Sequence, residues 1–177
     1  MNVVMHALAG GAIAHSCSRL AAGNGMKARG VALVAVALTA VASHGLLDWL
    51  RHGYPLPSRL DVALSLALSA VWLTLIRGRL RLVFAVALAA SFLPDLVDHL
   101  PRLLHVASPL PTPLFPWHSP AWSGSLYPAS QIQAGTQLVA LEAGNNRVAS
   151  YLNHAVVVST SFACIFLGRA AFAKSSP

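Results

Sequence analysis

Five long apolar runs, at about 3–21, 31–50, 60–76, 82–100 and 148–168, restrict this chain to very few folds. Roughly 20 apolar residues carry a helix across a bilayer core, with about 17–25 as the usual range. All five runs fall within it. Composition points the same way. Charged residues make up 10% of the 177 residues and apolar residues 56%, whereas a water-soluble domain carries about 25% charged residues on its surface. The expected fold is an all-α integral membrane bundle of about five transmembrane helices, forming one membrane domain over residues 1–177. No repeat of solenoid period interrupts it. Cys17 and Cys164 both lie inside apolar runs and read as free, buried thiols.

Residues 101–147 break the pattern. Seven prolines fall between Pro101 and Pro128, with Trp117, Trp122 and Tyr127 among them. Proline at this density excludes a continuous helix, and Trp and Tyr favour the headgroup level. The segment reads as a Pro-rich interfacial loop, with a short amphipathic helix toward 129–147. Within it, "PLPTPLFPWHSPAWSGSLYP" reads as an outer-face lid.

The net charge is +7. A nucleic-acid partner is not expected, because the basic residues do not cluster in a patch; they occupy short loops. With five spans, Arg19, Lys27, Arg29, Arg77, Arg79, Arg81, Arg169 and Lys174 share one side, and Arg51, Arg59, Arg102 and Arg147 share the other. Eight against four places the carboxyl terminus in the cytoplasm by the positive-inside rule. The start of the chain lacks the basic region of a signal peptide, so the first run is expected to be retained.

On this topology, ligand-type residues from four spans gather at the outer face. They are His6 on the first, His44 and Asp48 on the second, Asp95, Asp98 and His99 on the fourth, and His154 on the fifth. His44 and Asp48 are spaced i, i+4, as are Asp95 and His99, and Asp98 follows Asp95 by three. Each set therefore shares one helical face. Helical bundles build metal sites from carboxylates and imidazoles so spaced. An ionised carboxylate near lipid is costly unless it is paired or metal-bound. The expected metal ligands are His6, His44, Asp48, Asp95, Asp98, His99 and His154. Mixed Asp/His ligands suit zinc, manganese or iron better than calcium. His15 is out of phase with His6 and reads as a packed intramembrane residue, His52 and His105 as interfacial or loop residues. Small residues on the second span (Ala40, Ala42, Ser43, Gly45) and the fourth (Ala87, Ala89, Ala90, Ser91) would let the two approach closely.

"HALAGGAIAH", "SHGLLDWL" and "LPDLVDHLP" resemble the membrane-bound metal-dependent hydrolase group, the YdjM-like inner-membrane proteins. His6 matches that group's early His. Asp95, Asp98 and His99 match its Pro-Asp-x-x-Asp-His-like element. His118 and Ser119 match its His-Ser element, and Ser43, His44 and Asp48 its Ser-His-x-x-x-Asp element. Two elements stand in exchanged order here, and the Arg-Gly before the His-Ser is absent. The resemblance implies a metal-dependent hydrolase in a bacterial inner membrane, with His118 and Asp98 as the expected catalytic groups and His118, on the Pro-rich loop, a ligand or a general acid. A site at the interface suggests membrane lipid, or a lipid-linked phosphoester, as substrate. Two other roles compete: a non-catalytic metal-binding or transport-accessory protein, and an assembly factor whose polar face only packs helices. No His-Glu-x-x-His zinc helix, P-loop or dinucleotide-binding glycine pattern is present.

Overall fold

The computed structural model describes residues 2–21, 25–50, 52–53, 56, 58–104, 113–119, 122–123 and 145–173. Within them the chain forms five helices: α1 (Val3–Ala21), α2 (Met26–Trp49), α3 (Ser58–Leu75), α4 (Arg79–Leu103) and α5 (Asn145–Ala173). Among the described residues between α4 and α5, a 3-10 turn spans Pro116–His118. No strand occurs among the described residues. The apolar runs read from the sequence correspond one to one with these helices. Of the loop expected over 101–147, residues 101–103 continue α4 and 145–147 begin α5; the helix expected toward 129–147 otherwise lies outside the described residues, as does His105.

Among the described residues, three helical segments are long and apolar enough to cross a membrane: Met26–Trp49, Arg79–Pro101 and Val148–Phe166. Five were expected. The first run gives a shorter apolar stretch, Val3–Ser18. In the third, Asp61 sits in the first turn of the 18-residue α3. The outer faces of the helices are apolar, with Val34 and Leu38 on α2, Leu66 on α3, Leu82 on α4 and Val156 and Phe162 on α5 all exposed. Such outward surfaces are compatible with a membrane protein.

Helix α1 is the hub and packs against each of the other four helices. Its small residues allow this. A Cβ added to Gly10 would come within 2.8 Å of Ser91 Oγ on α4. One added to Gly11 would run into the Trp72 ring of α3. The glycines of "HALAGGAIAH" are therefore sites of close helix approach. At the end away from the site, Ala14, Ala32, Val36, Val83, Phe84 and Ala87 form an apolar core. His15 lies edge-on to Phe84 there, with ring centroids 6.5 Å apart. Between α3 and α4 the chain reverses at Gly78, whose φ of 63° favours glycine.

The opposite end is polar. Asp61 is buried, and its two carboxylate oxygens accept the backbone N–H groups of Val3 (2.7 Å) and Val4 (2.9 Å). The first amides of a helix have no partner within that helix. An anion from a neighbouring helix satisfies them and also complements the helix dipole. Ser65 donates to the Asp61 carbonyl and Ser69 to the Ser65 carbonyl, continuing a buried polar stripe down α3. His52 lies in the connection after α2 and is fully buried, not open to an interface. Its Nδ1 donates to the Leu50 carbonyl at 2.7 Å. The next residue, Gly53, donates its N–H to Ser150 Oγ of α5 at 2.7 Å.

Candidate metal centre

Helices α2 and α4 pack against each other, as expected. Of the small residues named for that approach, Ala40, Gly45, Ala87, Ala90 and Ser91 are buried and Ala42 and Ala89 are exposed. Ala87 and Ser91 also meet Gly10 of α1. Gly45 has a distinct role. An added Cβ would sit 2.7 Å from the Trp117 indole, so the absent side chain makes the seat on which the 3-10 turn docks. That seat brings His118 over α2 and α4.

Four ligand atoms converge there. His44, Asp48, Asp95 and His118 each offer one, all within 4.8 Å of one another. His44 Nε2 is 3.0 Å from Asp48 Oδ2 and 3.6 Å from Asp95 Oδ1. His118 Nε2 is 3.2 Å from Asp48 Oδ2 and 3.5 Å from Asp95 Oδ1. The two Nε2 atoms are 3.2 Å apart. Ligands at zinc-like distances of about 2.1 Å from a common centre, arranged as a tetrahedron, lie about 3.4 Å from one another. The five separations above scatter around that value.

The outer partners of the two imidazoles fix where their protons lie. His44 Nδ1 is 2.6 Å from the Ser91 carbonyl, which can only accept, so Nδ1 carries the hydrogen. His118 Nδ1 is 2.7 Å from Asp98 Oδ2 and donates likewise. A neutral imidazole then has its lone pair on Nε2. Two lone pairs and two carboxylates therefore point at one small volume. Metal-binding histidines are held in this way, with the remote N–H on a carbonyl or carboxylate. A proton is the competing occupant. Burial opposes charge on His118, but its bonds to Asp48 and Asp98 and the field of Asp95 outweigh that and hold its pKa above the usual value. One proton on His118 Nε2 would relieve one nitrogen, whereas a divalent cation would engage all four groups.

The other predicted residues have distinct places. Asp98 is buried, and its oxygens accept the N–H groups of Leu114 (2.7 Å) and Phe115 (3.0 Å) as well as His118 Nδ1. It stands behind His118 and ties the loop to α4. His6 stacks on His44 with ring centroids 3.8 Å apart, and its Nε2 is 3.2 Å from Asp48 Oδ1. His99 is 51% exposed, with Nε2 3.7 Å from Asp95 Oδ1. His154 is not among the four that converge. Its Nδ1 meets the carbonyl of Ser150, one turn back on α5, at 2.7 Å. Pro94 lies inside α4 and supplies no N–H to the Ala90 carbonyl; the carbonyl of the next residue, Ser91, is the one that receives His44. Sequence reasoning named Ser91 only as a small packing residue, and did not single out its carbonyl, the Leu114 and Phe115 amides, or Asp61. Backbone groups carry no residue signature, and a lone acid in a first helical turn reads as an exposed cap. In comparisons with protein families, curated proteins and solved structures, the chain matches none.

Proposed function

We propose that this chain is a membrane-embedded metal-dependent hydrolase acting at the outer interface on a lipid or lipid-linked phosphoester. The observation that carries this reading is the convergence of His44, Asp48, Asp95 and His118, with both imidazole lone pairs aimed inward by outer partners. Those four residues would hold the cation, with zinc favoured by near-tetrahedral spacing and manganese or iron as the other candidates. A divalent cation supplies Lewis-acid polarisation of the scissile oxygen and a water acidic enough to attack at neutral pH. Asp98 positions His118, and Ser91 positions His44.

Access supports a lipid substrate. His44 and Asp48 are sealed, but the Asp95 side chain is 24% exposed and His99 is half exposed. The opening thus lies along α4, next to the exposed apolar side chains of Leu96 and Leu100. An amphiphile could rest its chain on those residues with its headgroup at Asp95. The resemblance to the YdjM-like group is in keeping with this reading. Within it the chain crosses the bacterial inner membrane five times, with α1 and α3 counted as spans and the carboxyl terminus in the cytoplasm. A reporter fused there would read cytoplasmic; an external reading would remove the common-face topology.

A non-catalytic metal-binding role has one observation in its favour. Four protein ligands can close a tetrahedral site, and closed sites are typically structural. Metal content and activity of detergent-purified protein separate the two. Hydrolysis of a short-chain phosphatidic acid in mixed micelles, lost on chelation and restored by zinc or manganese, supports the hydrolase. Bound metal without phosphate release from this or from lipid pyrophosphates supports the non-catalytic role. Protein that binds no metal excludes both.

A further inference from the structure

We infer that the centre takes two cations, with Asp48 bridging them and His6 binding the second. This rests on the metal reading above and extends it. The two oxygens of Asp48 face different partners. Oδ2 looks to His44 and His118, and Oδ1 lies 3.2 Å from His6 Nε2. His6 is 1% exposed, yet neither of its ring nitrogens has a hydrogen-bond partner among the described residues. Its contact with Asp48 is close but not aligned as a hydrogen bond. A buried imidazole with no bond to either nitrogen is costly. Two ligands 3.2 Å apart, each about 2.1 Å from a shared ion, subtend about 100°, an ordinary angle between adjacent ligands.

Two ions about 3.5–4 Å apart form the clamp used for in-line displacement at phosphorus, one for the attacking and one for the leaving oxygen. With only His6 and Asp48 from the protein, the second ion leaves positions for water and for a phosphate oxygen. It should bind more weakly than the first.

The test is a manganese titration of the full-length, chelator-stripped protein in detergent, read by bound equivalents and by electron paramagnetic resonance. Wild type should take two equivalents, the second more weakly, and give the spectrum of a magnetically coupled pair. His6→Gln, which keeps bulk in the core, should take one equivalent and give an uncoupled spectrum. His6→Ala should match it if it elutes as wild type does. Saturation of wild type at one equivalent overturns the two-ion inference and leaves the metal reading intact. Two equivalents in His6→Gln, or none, also overturns it, since His6 would then be either no ligand or part of the first ion's shell. No binding by wild type removes the metal reading itself.

Discussion

Asp61 and Asp48 are both buried acids near the same end of the bundle, but they have opposite surroundings. Asp61 meets two backbone N–H groups that need an acceptor, and each side satisfies the other. Asp48 meets the Nε2 atoms of three imidazoles, two of which already donate from Nδ1 to other partners. The first is a closed account between an anion and a helix start. The second collects acceptors facing acceptors, and only an added positive charge reconciles them. Burial of a carboxylate therefore says little about function. The donor count of its neighbours says much more.

Breaking both acids should separate these roles most sharply. Asp95→Ala or Asp48→Ala is expected to abolish high-affinity metal binding and any metal-induced rise in melting temperature, while metal-free protein stays as stable as wild type or becomes more so. Asp61→Ala is expected to do the reverse. Loss of two hydrogen bonds to a charged group should lower stability by roughly 2–3 kcal/mol, with metal content of the folded fraction unchanged. Metal analysis beside detergent-phase thermal unfolding checks both. If Asp61→Ala lost the metal and kept its stability, the contrast between the two acids would collapse.

A milder change sharpens the comparison within the site. Asp98→Asn keeps the shape but weakens the partner that orients His118. Changes of this kind lower metal affinity by about 10–100-fold. A competition titration with a chromophoric chelator measures it. An Asp98→Asn protein with no remaining affinity would mean that Asp98 is itself a ligand.

The smallest effect concerns His52. Burial, foremost, holds its pKa down at about 3, so it stays neutral in the folded protein. The unfolded chain takes up that proton near pH 6.5. Stability from this residue is therefore complete above about pH 6.5 and declines as pH falls toward 3. Unfolding followed between pH 7 and 5 should show the decline, and His52→Gln should flatten it. An unchanged slope would assign the pH dependence to other groups.

Much of this was legible in the sequence. Apolar run length found all five helices, because a chain so poor in charge has few other ways to hide its backbone. The i, i+4 pairs found Asp48 beside His44 and Asp95 beside His99, since helical geometry alone fixes those neighbours. His118 came into view only through the resemblance of its His-Ser element, because nothing in the spacing of a Pro-rich loop aims a side chain at α2 and α4. The division of labour between Asp95 and Asp98 was not legible. Their i, i+3 spacing is the same whether both face the ion or one faces loop amides sixteen residues further on. Nor was the central place of α1. An apolar run with glycines looks the same whether lipid or four other helices surround it, and only the close approach at Gly10 and Gly11 distinguishes them.

The chain order of the ligands has a biosynthetic consequence. His44, Asp48 and Asp95 lie on α2 and α4, so the ribosome delivers them before His118. Until the segment after α4 has been made and folded back onto Gly45, the nascent protein has an open, three-ligand cup. On the metal reading proposed above, loading of an ion is expected to be a late event in assembly, completed when the loop closes over it.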